Sequence, residues 1–248
     1  MKIWAIADLH LGEALHKPMA IFGAHWEQHT QKLKKAWEAC IEPEDVILLP
    51  GDLSWGMNLA EAYKDLAFID ALPGKKICIK GNHDYWWQSL RKLNNSGFKT
   101  LLFLQNNTFI LGKWGICGTR GWLCPGQEGT TLQDEKLFIR EIKRLKLSLE
   151  AARREGAEEL LVMLHYPPTL GGQAQSPLTT LLKEYPVKQV VYGHLHDTTS
   201  WEKALKGYQE GILYRLVAAD YLEFKPLCLI EDRTINDERN IHEITSCI

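Results

Sequence analysis

Apolar and polar positions follow two alternating patterns along the first third of the chain. Residues 2–7, 45–49 and 76–79 are short, mostly apolar runs, which are typical of strands buried on both faces. Between these runs, apolar residues recur three or four positions apart, which predicts two helices, and a third helix is predicted over residues 85–93. This β-α-β-α-β order predicts a parallel sheet with helices on its faces.

The middle of the chain has a mixed pattern. Short β-like runs in residues 99–119, separated by Asn106, Asn107 and glycines, predict antiparallel hairpin strands. A long helix is predicted around residues 138–152, and we interpret its charged face as ordinary solvation. Further predicted elements are strands over residues 160–164 and 189–192, a short helix over 178–183 and strand-like runs within 212–230.

The periodicity disappears after Glu231. We therefore predict one domain over residues 1–230 and a C-terminal tail over residues 231–248. The tail is expected either to pack on a partner, as the contact of a homodimer, or to be poorly ordered.

The composition argues against several classes of protein. The chain has 248 residues and a formal net charge of −2, so no general positive field attracts nucleic acid or an anionic membrane. No run approaches the roughly 18–20 apolar residues that cross a bilayer. Residues 1–7 are too short for a signal-peptide core, so we expect a cytoplasmic protein. The six cysteines are scattered without a C-x-x-C pair, which favours core positions over a metal knuckle.

Polar residues that can bind metals follow five of the predicted strands. In chain order these residues are Asp8, His10, Asp52, Asn82, His83, Asp84, His165, His194 and His196. The carboxyl ends of the strands in an open α/β sheet form the ligand crevice, so we expect these side chains to converge.

The side-chain types suit divalent metal ions. Carboxylate, imidazole and amide donors without cysteine disfavour a structural zinc site. In an extended chain, residues two apart point to the same side, so the pairs Asp8/His10 and His194/His196 would each grip one ion. Glycines precede three of the motif residues and are expected to leave room for an ion or a phosphate.

The motifs D-x-H, G-D, G-N-H-D, H and G-H-x-H occur in this order. Together they make residues 1–230 resemble the calcineurin-like metallophosphoesterase superfamily. The resemblance implies an α/β fold, a four-layer α-β-β-α sandwich of two mixed sheets flanked by helices, with a dinuclear metal site at the carboxyl ends of strands. It also implies in-line attack on a phosphoester by a hydroxide that bridges two metals about 3.5–4 Å apart.

The resemblance also implies roles for the motif residues. Seven would be metal ligands: Asp8, His10 and His196 for the first ion, Asn82, His165 and His194 for the second, and Asp52 as the bridge. His83 would be catalytic, as a general acid or as a stabiliser of charge on the leaving group. Asp84 would either orient His83 or cap the helix predicted to begin at Tyr85. The ligands permit Mn, Fe, Zn or Ni, and we expect two divalent ions, with manganese supporting activity.

Three further side chains near the motifs are candidates for substrate binding. Arg120 lies in the stretch G-T-R-G-W and would either fork onto a phosphate or form a surface salt bridge. Trp55 and Tyr85 would either stack on a ring of the substrate or pack against the protein.

Differences between this chain and the motifs of the superfamily's branches narrow the range of possible substrates. At the second motif the chain reads G-D-L-S-W-G-M, without the aspartate and arginine of the Ser/Thr protein phosphatases. His83 stands where the lipid A precursor pyrophosphatases have arginine, and no DNA-binding domain of a repair nuclease is evident. A small phosphoester is therefore expected, with no membrane partner and no nucleic acid. An open site and the lack of extra phosphate-clamping arginines favour phosphodiesters slightly. The alternatives are a small phosphomonoesterase and a non-catalytic metal-binding scaffold of the same fold.

Overall fold

Two β-sheets lie face to face between helices in the computed structural model of the chain. The structure describes residues 1–12, 15, 17–127, 129–169, 171–231 and 242–244. Its α-helices are α1 (His29–Cys40), α2 (Leu59–Ala71), α3 (Leu90–Asn94), α4 (Leu132–Arg154), α5 (Pro177–Leu182) and α6 (Thr198–Lys203). Two 3-10 turns, Met19–Phe22 and Ala24–Trp26, precede α1. Within these described ranges, no helix has the length and apolar character needed to cross a membrane.

The first sheet contains five strands. They are β1 (Lys2–Ala5), β2 (Val46–Leu49), β3 (Lys75–Cys78), β4 (Leu101–Phe103) and β11 (Leu227–Glu231). Their order across the sheet is β11-β1-β2-β3-β4. The strands β1 to β4 are parallel to one another, whereas β11 pairs antiparallel with β1.

The second sheet contains seven strands. They are β5 (Thr108–Leu111), β6 (Trp114–Thr119), β7 (Glu159–Leu164), β8 (Val187–Tyr192), β9 (Gly207–Gln209), β10 (Ile212–Leu216) and β12 (His242–Ile244). Their order is β12-β5-β6-β7-β8-β10-β9. The four strands β6, β7, β8 and β10 are parallel, and the other three pair antiparallel with their neighbours.

Each sheet is buried on both faces, and its strands alternate between two cores. In β2, Val46 and Leu48 point into the core between the two sheets, whereas Ile47 and Leu49 pack toward α1 and α2. On the far side, α4 and α5 cover the second sheet, with Phe138 packed among its strands. Burial on both faces explains the nearly continuous apolar runs of the sequence. The predicted four-layer sandwich is confirmed.

Two predicted elements differ from the structure, and two further elements were not predicted. β4 pairs parallel with β3, so the predicted antiparallel hairpin is limited to β5 and β6. The helix predicted over residues 85–93 is wrong in its first half, because α3 begins at Leu90 and the preceding residues form turns and loops. The pattern also missed α6 and β9, which are too short to carry a periodic signal.

Most of the predicted C-terminal tail lies outside the described residues. Within the tail, β12 pairs antiparallel with β5 at the edge of the second sheet. The domain boundary at residue 230 and a partner contact of the tail stay predictions.

The carboxyl ends of the parallel strands of both sheets meet at one edge of the sandwich. After β1, the backbone N–H of Ala7 donates to the carbonyl of Val217, which follows β10, at 2.7 Å. The next N–H, of Asp8, donates to the carbonyl of Gly51 after β2, at 3.0 Å. These bonds place the motif loops of both sheets against one another.

Candidate metal centre and active site

The seven predicted metal ligands lie together at this edge, and we name them the donor cluster: Asp8, His10, Asp52, Asn82, His165, His194 and His196. Its first group surrounds Asp8. The Nε2 atoms of His10 and His196 are 3.3 Å apart, and Nε2 of His196 is 3.9 Å from Oδ1 of Asp8. Ligand atoms of these three residues all lie within 4.8 Å of one another, a spacing that one metal ion can bridge.

The second group surrounds the amide oxygen of Asn82. This oxygen lies 2.5 Å from Nε2 of His165 and 2.9 Å from Nδ1 of His194. The three residues follow β3, β7 and β8, so the group joins strands of both sheets.

Asp52 lies between the two groups. Its Oδ2 atom is 3.8 Å from Nε2 of His10 and 3.5 Å from Nε2 of His165. A single carboxylate oxygen therefore reaches both groups, which is the position that a bridging ligand requires.

The backbone is left-handed at four members of the donor cluster. The φ angles are 59° at Asp8, 45° at His10, 54° at Asp52 and 73° at His194. The premise that the D-x-H and H-x-H pairs lie in extended chain is therefore wrong, and sharp turns bring the side chains inward. Non-glycine residues rarely adopt this conformation, and such outliers cluster at functional sites.

Two motif glycines make room for carboxylates of the cluster. A Cβ atom on Gly81 would collide with the side chain and backbone N of Asp52, and one on Gly193 would collide with the Asp8 carboxylate. The space beside these two glycines is thus occupied by carboxylates of the cluster.

Asp8 is the strongest sign that the cluster fits a metal ion. Its side chain is completely buried, and Oδ1 has no hydrogen-bond partner. Burial raises the pKa of Asp8 well above its usual value, although the charge on His196 opposes this shift. A buried, unpaired carboxylate oxygen is costly unless a cation is bound, and imidazole nitrogens surround this one.

Hydrogen bonds orient two of the imidazoles from behind. Nδ1 of His165 lies 3.0 Å from the carbonyl of Pro50, and Nδ1 of His196 lies 3.1 Å from Oδ2 of Asp220. When these nitrogens carry the proton, each Nε2 is left free to face the cluster, as is usual for metal-binding histidines. Asp220 lies in no motif, and its only signal in the sequence is a lone aspartate after the apolar run that ends at Ala219.

Burial holds three of the histidines in the neutral form that binds metals. It lowers the pKa of His165 to about 3 and that of His194 to about 2, and it lowers the pKa of His10 well below its usual value. His196 differs: burial lowers its pKa, but the hydrogen bond to Asp220 and the charges of nearby aspartates together raise the pKa to about 9.

His83 lies at the rim of the donor cluster. Its half-buried ring is 4.5 Å from the ring of Trp55 and 5.8 Å from that of His10. Its backbone N–H donates to Oδ1 of Asp52 at 2.8 Å, which fixes the loop to the bridging carboxylate.

Asp84 does not cap a helix, and its carboxylate forms no hydrogen bond with the side chain of His83. No helix begins at Tyr85, so the capping role is wrong. The carboxylate instead accepts N–H bonds from Asp52 at 2.9 Å, Gly81 at 2.8 Å and the indole of Trp86 at 2.9 Å. Burial and the nearby Asp52 charge raise the pKa of Asp84 to about 7, against these donors. Asp84 therefore ties the second and third motif loops together.

The three candidate substrate contacts have different surroundings. Trp55 is half-buried and stacks on His10 at 5.0 Å, so packing accounts for one of its faces. Tyr85 is 56% exposed at the rim. Arg120 lies 4.3 Å above the ring of Trp122, and its Nε is buried without a partner. The alternative of a surface salt bridge for Arg120 is wrong, since no acidic side chain within the described ranges pairs with it.

Comparisons with known proteins agree with this geometry. The family model of the calcineurin-like phosphoesterases matches residues 1–198. The chain is 25% identical over 155 residues to the uncharacterized protein MJ1445 of Methanocaldococcus jannaschii, which covers 60% of this chain and 82% of that protein. It is 32% identical over 81 residues to the Gene 66 protein of Mycobacterium phage L5, covering 33% of this chain and 39% of the phage protein.

A solved structure shares the fold. The phosphopantetheinyl hydrolase PptH of Mycobacterium tuberculosis superposes with a TM-score of 0.53 and 14% sequence identity, covering 94% of this chain and 97% of that one. The matched family model spans most of the chain and includes every member of the donor cluster. The chain belongs to the calcineurin-like phosphoesterase family and is a metal-dependent phosphoester hydrolase.

Proposed function

We propose that the chain hydrolyses a small phosphoester at two divalent metal ions held by the donor cluster, with a slight preference for phosphodiesters. The observation that carries the proposal is the position of Asp52 between two groups of donors, each with further ligand atoms within reach. Two bound divalent ions supply a nucleophile at neutral pH and stabilise charge on the phosphoryl group. The oxygen and imidazole donors suit manganese, our proposed ion for activity.

His83 is proposed as the residue that transfers a proton to the leaving oxygen. Its ring lies at the rim, against Trp55, where the leaving group of a bound ester would depart. Asp84 is proposed as a positioning residue, because its carboxylate holds the backbone of Asp52 and Gly81 rather than a reacting atom.

The preference for diesters rests on the shape of the rim. Tyr85 is exposed and Trp55 is half-buried, so the side of the cluster nearest His83 is open to a second ester substituent. Flat rings at such a rim are suited to stacking on an aromatic substituent.

The test compares two chromogenic esters. Metal-stripped protein is reloaded with Mn²⁺, and turnover of bis-p-nitrophenyl phosphate and of p-nitrophenyl phosphate is measured. Asp52→Asn is expected to abolish turnover of both esters, because it removes the charge from the shared ligand. Asp45→Asn is the matched control, since Asp45 is equally buried but lies at the opposite end of the strands.

Each outcome has a clear meaning. Faster turnover of the diester, lost in Asp52→Asn and kept in Asp45→Asn, supports the proposal. Faster turnover of the monoester contradicts the diester preference. Unchanged turnover in Asp52→Asn contradicts the proposed role of the bridging carboxylate. The name of the mycobacterial neighbour makes a phosphopantetheinyl compound a sensible third substrate.

A further inference from the structure

A cavity that is rich in positive charge lies beside the donor cluster. It has a volume of about 410 Å³ and opens between the ends of β3 and β6 and the first half of α4. Four cationic side chains and one carboxylate line it, together with Trp87: Lys80, Arg120, Arg140, Arg144 and Glu141. We name this space the cationic cavity.

The single carboxylate of the cationic cavity is already engaged. Glu141 is 1% exposed, accepts the hydroxyl of Thr119 at 2.6 Å and accepts Nη1 of Arg144 at 2.8 Å. Arg140 approaches the same carboxylate at 3.4 Å. Two arginines thus share one acidic partner, and each has further guanidinium N–H donors that this carboxylate does not use.

The other two cations have no acidic partner. Neither Lys80 nor the guanidinium of Arg120 forms an ion pair with any residue that the structure describes, and Nε of Arg120 is buried without a hydrogen bond. Two like charges held close together, half-buried and unpaired, are unfavourable until an anion joins them.

The cationic cavity and the donor cluster share their walls. Lys80 immediately precedes the G-N-H-D loop that carries Asn82. The carbonyl of Arg120 accepts the N–H of His165 at 3.0 Å. One molecule can therefore place a phosphoryl group at the cluster and another group in the cavity.

We propose, building on the hydrolytic function above, that the cationic cavity binds a second anionic group, a phosphate or a carboxylate, of the phosphoester substrate. Lys80 and Arg120 contact it from the side of the sheets, and Arg140 and Arg144 contact it from α4. Arginine and lysine bind phosphate through charge-assisted hydrogen bonds, which are stronger than neutral ones. The substrate class is therefore a phosphoester with at least two anionic centres.

The finding revises two expectations from the sequence. The charged face of α4 is more than ordinary solvation, because Arg140 and Arg144 line a cavity beside the donor cluster. The expected lack of additional arginines near the site is also wrong, because α4 supplies them from a part of the sequence that carries no motif.

A matched pair of substrates tests the proposal. Thymidine 5′-(p-nitrophenyl phosphate) has one anionic centre, and its 3′-phosphorylated form has a second. The wild-type protein with Mn²⁺ is expected to show a kcat/KM at least roughly tenfold higher for the second ester, since each charge-assisted bond contributes about a factor of ten or more. Lys80→Met and Arg140→Gln are each expected to reduce this advantage about tenfold. Arg154→Gln, which removes a positive charge from the exposed end of α4, is the matched control and should keep the advantage.

A binding measurement separates this inference from the hydrolytic function. Thymidine 3′,5′-bisphosphate is titrated by calorimetry into metal-stripped protein in EDTA, with the same three variants. Binding that weakens in Lys80→Met but not in Arg154→Gln supports the cavity even if neither ester is hydrolysed. Hydrolysis of both esters with equal kcat/KM, or binding that is indifferent to Lys80, overturns the cavity and leaves the hydrolase intact.

Discussion

The two ends of the strands in the first sheet bury charge in different ways. At the amino ends, Asp45 accepts the N–H of Lys2 at 2.6 Å and the indole of Trp4 at 2.9 Å. At the carboxyl ends, Asp8 leaves one oxygen without a hydrogen bond and faces further titratable side chains.

The buried charge at the amino ends stabilises the fold, whereas the buried charge at the carboxyl ends lacks partners until a ligand binds. A buried polar group whose partners are all present contributes to stability, whereas one without partners lowers it. The backbone follows the same division, because left-handed residues lie at Asp8, His10, Asp52 and His194. The carboxyl ends therefore lower the stability of the ligand-free protein, and a bound metal ion and substrate would restore it.

The largest expected effect comes from changing a group proposed to do chemistry. His83→Ala should reduce turnover of bis-p-nitrophenyl phosphate by roughly 10²–10⁴, because a positioned proton donor contributes about that factor. Metal content, measured by elemental analysis, should stay nearly intact. His25→Ala is the control, since His25 is exposed and lies outside the motifs. An equal loss of metal and of turnover would contradict a role in proton transfer.

A smaller effect should follow from changing an aspartate that supports a ligand. Asp220→Asn removes the charge behind His196 and should weaken Mn²⁺ binding by roughly 10–100-fold. Competition with a fluorescent chelator measures the affinity. Asp197→Asn is the control, because the Asp197 carboxylate accepts the N–H and the hydroxyl of Ser200 to cap α6 and forms no hydrogen bond with the His196 ring. Equal Mn²⁺ affinities for the two variants would contradict the proposed support of His196 by Asp220.

The two ends of the sheet should respond oppositely to the same change. In EDTA, Asp45→Asn should lower the free energy of unfolding by about 2 kcal/mol, since charge-assisted hydrogen bonds contribute about 1.5–3 kcal/mol. Asp8→Asn should leave it unchanged or raise it, because the variant replaces a buried carboxylate that has one oxygen without a hydrogen-bond partner. Urea unfolding measures both values. A decrease in the free energy of unfolding in Asp8→Asn as large as that in Asp45→Asn would contradict the proposed difference between the two ends.

A gradual effect is expected in the pH dependence of stability at the amino ends. Burial lowers the pKa of Lys76 to about 8, although Asp70 opposes this shift, so the unfolded chain keeps a proton that the folded lysine has lost above that pH. Stability should therefore rise with pH between about 8 and 10.5 relative to Lys76→Met, by at most about 1.4 kcal/mol per pH unit. Urea unfolding at several pH values measures this difference. Parallel pH curves for the two proteins would contradict the shift.

The sequence predicted the site better than its surroundings. Short motifs after apolar runs located Asp8, Asp52 and His165, because parallel strands bring their carboxyl ends to one edge whatever the intervening chain does. Asp220 escaped notice since a lone aspartate carries no local signal. Arg140 and Arg144 occupy the polar face of an amphipathic helix, and only the packing of α4 beside β6 reveals that the face borders a cavity.

The direction of β4 and the start of α3 were also beyond the sequence. The Asn106-Asn107 pair resembles a hairpin turn, but the chain crosses there from the first sheet to the second. The aromatic residues after Asp84 fit a helical pattern, but Asp84 uses its carboxylate to hold two loops, and the chain stays irregular until Leu90. In both places long-range contacts override local preference.

The pairing of β1 with β11 has a consequence for how the molecule assembles. Lys2 lies opposite Glu231, so β1 gains one of its two neighbours from a strand that follows β10 in the sequence. The contact order of the first sheet is correspondingly high, which predicts slow folding, since loop closure must precede the contacts that reward it. The left-handed turn at Asp8 depends on contacts that are distant in sequence, because Ala7 donates to Val217 and Asp8 donates to Gly51. A chain that ended after β5 would hold four of the seven members of the donor cluster and lack the three histidines that follow β7 and β8.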